Sequence, residues 1–170
     1  GYELAEQLCD SAKSAMRRNE NPVSSWLDFA ILHGEQPPTL SQIRENDYKG
    51  ALGDLHFGAY QIANQSAENK IARRKNIENL LTCTEKFSKL PRSKVKELRF
   101  ILARGEDDIK KYLAQLEHQN LKLPVIEDWQ DYLKDNLFSG EENKKTPFID
   151  AIEMMDFYNF EVAEKWQNLQ

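Results

Sequence analysis

The chain has 170 residues, 40% hydrophobic and 30% charged, and a formal net charge of −5. That suffices for one core or for two small lobes sharing an interface. It excludes a membrane span, because the longest apolar runs, 26–27 and 29–32, are short and are separated by Asp28. The N-terminus lacks the basic flank and apolar stretch of a signal peptide, and Cys9 and Cys83 are far apart without CxxC spacing. The expectation is a cytoplasmic protein with two core thiols.

The apolar period is helical along most of the chain. Ala5, Leu8, Cys9, Ala12, Ala15 and Met16 recur at three and four residues and predict a first helix, ended by Asn21-Pro22. Trp26, Leu27, Ala30 and Ile31 predict a second, stopped at Gly34. Thr39 and Gln42 have capping-box spacing for a short helix through Ile43. Residues 47–65 have a helical pattern but carry Gly50, Gly53 and Gly58. They read as a turn or as a place where another helix approaches closely. Ile71, Ile77, Leu80, Leu81, Thr84 and Phe87 mark a longer helix before Pro91. Val95, Leu98, Ile101 and Leu102 mark the next, up to Gly105. Glu106, Asp107 and Asp108 suit the positive end of a following helix with Ile109, Tyr112, Leu113 and Leu116. After Leu123-Pro124, a short helix carries Trp129, Tyr132, Leu133 and Leu137. Thr146-Pro147 opens a last one, from Phe148 to Trp166. The predicted fold is all-α, with seven to nine helices in two packed bundles. The N-terminal lobe spans 1–90 and the C-terminal lobe 91–170.

The sequence shows no pattern for catalysis, cofactor or metal. His33, His56 and His118 are scattered, without HExxH or ExxH spacing. Neither cysteine has a histidine nearby, there is no GxSxG, and the glycines at 50–58 lack the lysine of a phosphate loop. The carboxylates read as solvated helix faces. A non-enzymatic binding protein is therefore expected.

Charge is unevenly distributed. Residues 66–104 carry 11 basic and 4 acidic side chains, a balance of +7, between flanks of −4 and −8. Lys89, Arg92, Lys96 and Arg99 are spaced to share a helical face, and Arg73-Arg74-Lys75 forms a second cluster. Such a block suits a phosphate backbone, but it suits equally a face paired with the chain's own acidic C-terminal region, or plain solvation.

The order of motifs in the back half resembles the small subunit of the type I-E CRISPR Cascade complex. A basic helix at 92–103 ends in Ile101-Leu102 and is followed by an acidic turn, then an amphipathic helix at 108–116. Leu123-Pro124 and Trp129 lead into a short helix, and the last helix contains Asp156-Phe157-Tyr158. The likeness covers residues 90–160, and more loosely 10–65, where Ala15-Met16-Arg17-Arg18 matches a small-apolar-Arg-Arg element. Residues 66–90 have no counterpart, and the tryptophans usual in that family near Phe138 and Ile152 are missing. The resemblance implies a non-catalytic scaffold, paired with a second copy in a crRNA-guided complex. There it would hold the target and displaced strands of the R-loop. By position Arg17, Arg18, Lys94, Lys96 and Arg99 would meet single-stranded DNA or RNA, as would Arg92, Arg104 and Lys111. The alternative is a helical adaptor gripping a protein through exposed aromatics such as Trp129, Tyr132, Tyr158 and Trp166.

Overall fold

The computed structural model describes residues 2–18, 24–32, 39–62, 73–135, 137–140 and 142–158. Helix α1 (Tyr2–Arg18) follows the first stripe and buries Leu4, Ala12 and Ala15. Cys9 on that helix is exposed, which corrects the expectation of two core thiols; only Cys83 is buried.

The second stripe is not helical. Residues 25–27 form strand β1 (Ser25–Leu27), paired antiparallel with β2 (Tyr60–Ile62) so that Trp26 faces Gln61. The physical reason is Asp28. Its side chain is fully buried and bound to Arg44 and His56, a placement that overrides the helical period of its neighbours.

Helix α2 (Leu40–Asp47) starts as its sequence predicts. Thr39 caps it, and both halves of the capping box with Gln42 are formed. The glycine-bearing stretch after it is an irregular loop rather than a helix. Gly50 N–H donates to the Gly53 carbonyl at 2.9 Å. A Cβ on Gly53 would lie 2.2 Å from the Lys144 carbonyl oxygen, so the glycine admits a passing backbone, not another helix.

From Ile77 to His118 the structure follows the helical pattern, while Ile71, which the sequence placed in the first of these helices, lies outside the described residues. Asn76 caps α3 (Ile77–Ser88) by accepting from Glu78 N–H. Helix α4 (Arg92–Arg104) is stopped at Gly105, whose φ of +129° favours glycine. Helix α5 (Glu106–His118) carries its three acids in the first turn. The segment with Trp129 is a single 3-10 turn, Glu127–Trp129. It leads into a hairpin of β3 (Leu133–Lys134) and β4 (Phe138–Ser139), not a helix. Helix α6 (Phe148–Met154) is shorter than the last predicted helix: Met155 ends it and 155–157 are a turn. The predicted Phe160, Ala163 and Trp166 lie outside the described residues.

The all-α expectation of seven to nine helices in two bundles is thus corrected. The described residues hold six α-helices and two small antiparallel sheets. Each strand is two or three residues long, too short to show an alternating pattern. Buried side chains from both sides of Pro91, among them Ile43, Tyr60, Leu80, Phe87, Leu98, Ile109, Phe148 and Ile149, belong to one contiguous core. Helix α3 packs on α6, with the rings of Phe87 and Phe148 edge-to-face at 5.5 Å. Burying such a phenylalanine contributes about 2–3 kcal/mol. Among the described residues no helix is long and apolar enough to cross a membrane.

Candidate functional site

Beneath a cleft beside α1 and α2, the core holds a cluster of charges. The Asp28 carboxylate accepts from Arg44 Nη2 and from Phe29 N–H, the latter at 2.9 Å. Its Oδ1 is 3.3 Å from His56 Nε2. On the other side of the ring, His56 Nδ1 is 3.0 Å from Asp150 Oδ1. Asp150 Oδ2 accepts from the Tyr60 hydroxyl at 2.6 Å and from Phe57 N–H at 3.1 Å. One turn along α6, Glu153 accepts from the Tyr48 hydroxyl at 2.6 Å and pairs with Arg99 at 2.7 Å.

Burial works against the charged form of His56, but Asp150 and Asp28 outweigh it and raise its pKa to about 9. The ring is therefore an imidazolium at neutral pH, both N–H groups donating to carboxylates. Arg44 Nη2, 3.2 Å from Nε2, shares Asp28 with the ring instead of bonding to it. Burial likewise pushes the Asp28 carboxyl up, yet His56, Ser11 and Arg44 together hold it well below the usual carboxylate range. An imidazolium of this kind has no lone pair with which to act as a base.

The cleft above has a volume of about 610 Å³, and Ser11, Arg18, Arg44, His56, Gly58 and Lys145 are in its wall. Lys75 approaches from behind Gly58. Its Nζ donates to the Phe57 carbonyl and lies 3.5 Å from the centre of the Phe57 ring. Burial and the charges of Lys145 and Arg18 lower its pKa to about 7, against the pull of Asp150 and Asp28.

No family model matches the chain, and no curated protein matches it either.

The eight cations singled out by position are not brought onto one face. Arg17 and Arg18 end α1, both exposed, and Arg18 reaches the cleft. Arg92, Lys96 and Arg99 share one stripe of α4, but Arg92 pairs with Asp156 at 3.0 Å and Arg99 with the buried Glu153. Lys94, on the opposite side of α4, pairs with Glu97 at 3.2 Å. Lys96, Arg104 and Lys111 are exposed. The cluster at 73–75 turns towards the protein. Arg73 lies 3.6 Å from Asp128, Arg74 stacks over the Tyr132 ring at 4.6 Å, and Lys75 is held at Phe57. Part of the basic block is thus paired with the acidic C-terminal region. The aromatic anchors expected of an adaptor also move inward: Trp129 is 2% exposed and donates to the Arg74 carbonyl, and Tyr132 is half-buried against Phe57.

Sequence reasoning missed the network because it took the carboxylates as solvated. The available signal was an acid inside an apolar run: Asp28 within 26–32, and Asp150 between Ile149 and Ala151. A carboxylate there is costly unless hydrogen bonds and a countercharge meet it, so it implies buried cationic partners.

Proposed function

We propose that the chain is a non-catalytic scaffold subunit that holds a nucleic-acid strand. The role is the one implied by its resemblance to the Cascade small subunit, including assembly with a second copy in a crRNA-guided complex. The strand lies along the cleft beside α1 and α2, and not along α4. The observation that carries this reading is the meeting of Arg18, from the front of the chain, and Lys145, from the back, at one open cleft above Arg44 and His56. Two further features favour it. The imidazolium of His56, committed to two carboxylates, is suited to electrostatics and not to proton transfer. Exposed Arg17, next to Arg18 at the end of α1, also remains outside the described ion pairs, available to a backbone.

The test is fluorescence anisotropy with labelled single-stranded DNA and RNA across a salt series. Binding is expected to weaken steeply with salt. Combining Arg17→Ala, Arg18→Ala and Lys145→Ala is expected to reduce affinity at least tenfold at low salt. Arg92→Ala, whose charge already has Asp156, is expected to change it less than twofold. Unaltered affinity in the triple variant would sink the reading.

A further inference from the structure

Lys75 stands beside Gly58, and Arg18 and Lys145 are near enough for their charges to act on its amine. Arg18 and Lys145 line the cleft together with Gly58. A Cβ placed on Gly58 would sit 3.6 Å from Lys75 Nζ, so the amine stands next to that cleft-wall glycine. Elsewhere in the wall Lys49 pairs with Asp54 at 2.8 Å, Asp10 reaches out to Lys13 at 3.7 Å, and Glu45 adds a further acid. Among the described residues, Arg18, Lys75 and Lys145 pair with no carboxylate. Arg18 Nε donates to the Ser14 carbonyl at 3.3 Å, and Lys75 to that of Phe57. Burial is the first cause that lowers the Lys75 amine; the charges of Lys145 and Arg18 add a repulsion, opposed by Asp150 and Asp28. A compact dianion would relieve that repulsion.

We propose that the Gly58 end of the cleft is a phosphoryl-group subsite, in which Arg18, Lys75 and Lys145 close on the oxygens of one phosphate. The inference rests on the strand-holding reading only for the source of that group, which is either a strand's terminal phosphate monoester or an internal backbone phosphate. Arg18 supplies a planar pair of donors and the two lysines supply point charges. Ligand charge returns Lys75 to its ammonium form.

Titration calorimetry on the full chain with inorganic phosphate, against chloride at equal ionic strength, tests the subsite. Phosphate is expected to bind, and Lys145→Ala and Arg18→Ala, both at the cleft wall, are each expected to weaken it roughly tenfold. Lys75→Met should do the same. The two cleft-wall variants keep the test decisive if that one fails to fold. Failure of phosphate to bind above the chloride control, or equal binding by Arg18→Ala and Lys145→Ala, would overturn the subsite.

An oligonucleotide in 5′-phosphorylated and 5′-hydroxyl forms separates the sources. A preference for the phosphorylated form assigns the subsite to a strand end, and equal binding, displaced by inorganic phosphate, assigns it to the backbone. Oligonucleotide binding that neither phosphate nor the variants disturb removes the subsite and leaves the strand-holding reading intact. Phosphate binding that depends on Arg18 and Lys145, without oligonucleotide binding, keeps the subsite and removes that reading.

Discussion

His56 carries an unusual share of the protein's electrostatics, since one ring joins the carboxylates of Asp28 and Asp150 from opposite sides. Its folded pKa of about 9 lies above the ordinary 6.5. The stabilisation it gives is therefore complete below about pH 6.5 and is lost as pH rises through about 9, with a size on the order of 3 kcal/mol. Asp28 works in the opposite direction. Its depressed carboxyl stabilises the fold above the ordinary carboxylate range and ceases to do so as strong acid protonates it. The Lys75 amine, lowered to about 7, works the other way over the same alkaline range. The His56 contribution is therefore read by difference: the gap between the urea midpoints of the native protein and His56→Gln should narrow as pH rises from about 6.5 to 9. A gap between the two proteins that stays constant from about pH 6 to 10 would show the ring to be neutral. Asp150→Ala strands three donors at once, from His56, Tyr60 and Phe57. Its expected cost is about 3–5 kcal/mol, read from the same denaturation curves.

At the scale of elements, local chemistry decided some boundaries and long-range contacts decided the others. Thr39 and Gly105 bound helices where the sequence says they should, Thr39 through its capping box with Gln42 three residues on and Gly105 through its φ of +129°. Asn76, which the sequence reading did not single out, caps α3 through Glu78 N–H two residues on. Thr39→Ala should therefore cost about 1 kcal/mol, visible as a lowered melting temperature. The misread segments are those whose conformation is imposed from a distance. Residues 25–32 are held by strand 60–62 and by the partners of Asp28. The loop 50–58 is held by the chain at 144–146, with Asp54 N–H donating to the Lys144 carbonyl at 2.8 Å. A helical period read from nearest neighbours contains no information about a strand that pairs 35 residues away. Gly53 marks that contact most sharply. Gly53→Ala must push its methyl into the Lys144 backbone, which no rotamer relieves. About 1–3 kcal/mol of destabilisation is expected in thermal melts, with α2 left intact by circular dichroism.

For the molecule as a whole, the decisive question is whether Pro91 divides it. Composition and the order of helices suggested a lobe on either side. Yet the buried acids that were misread from sequence join the two halves. Asp150 and Glu153 on α6 bind His56, Tyr60 and Tyr48 from before Pro91, and Arg99 on α4 closes the same cluster. Apolar contacts run the same way, from Leu80 and Phe87 to Phe148 and Ile149 in one core. The sequence makes the helices legible because their stripes are local, and it makes the charge blocks legible because they are compositional. It leaves their pairing illegible, since which carboxylate meets which cation depends on the folded topology. If a single core and a single polar network couple the halves, neither can lose structure without exposing the other's apolar surface and unpaired charge. Differential scanning calorimetry should then give one transition whose calorimetric and van't Hoff enthalpies agree. Asp150→Ala should lower that transition as a unit. Two separable transitions, with only the later one moved by Asp150→Ala, would mean that the halves fold independently and that the network between them is too weak to couple them.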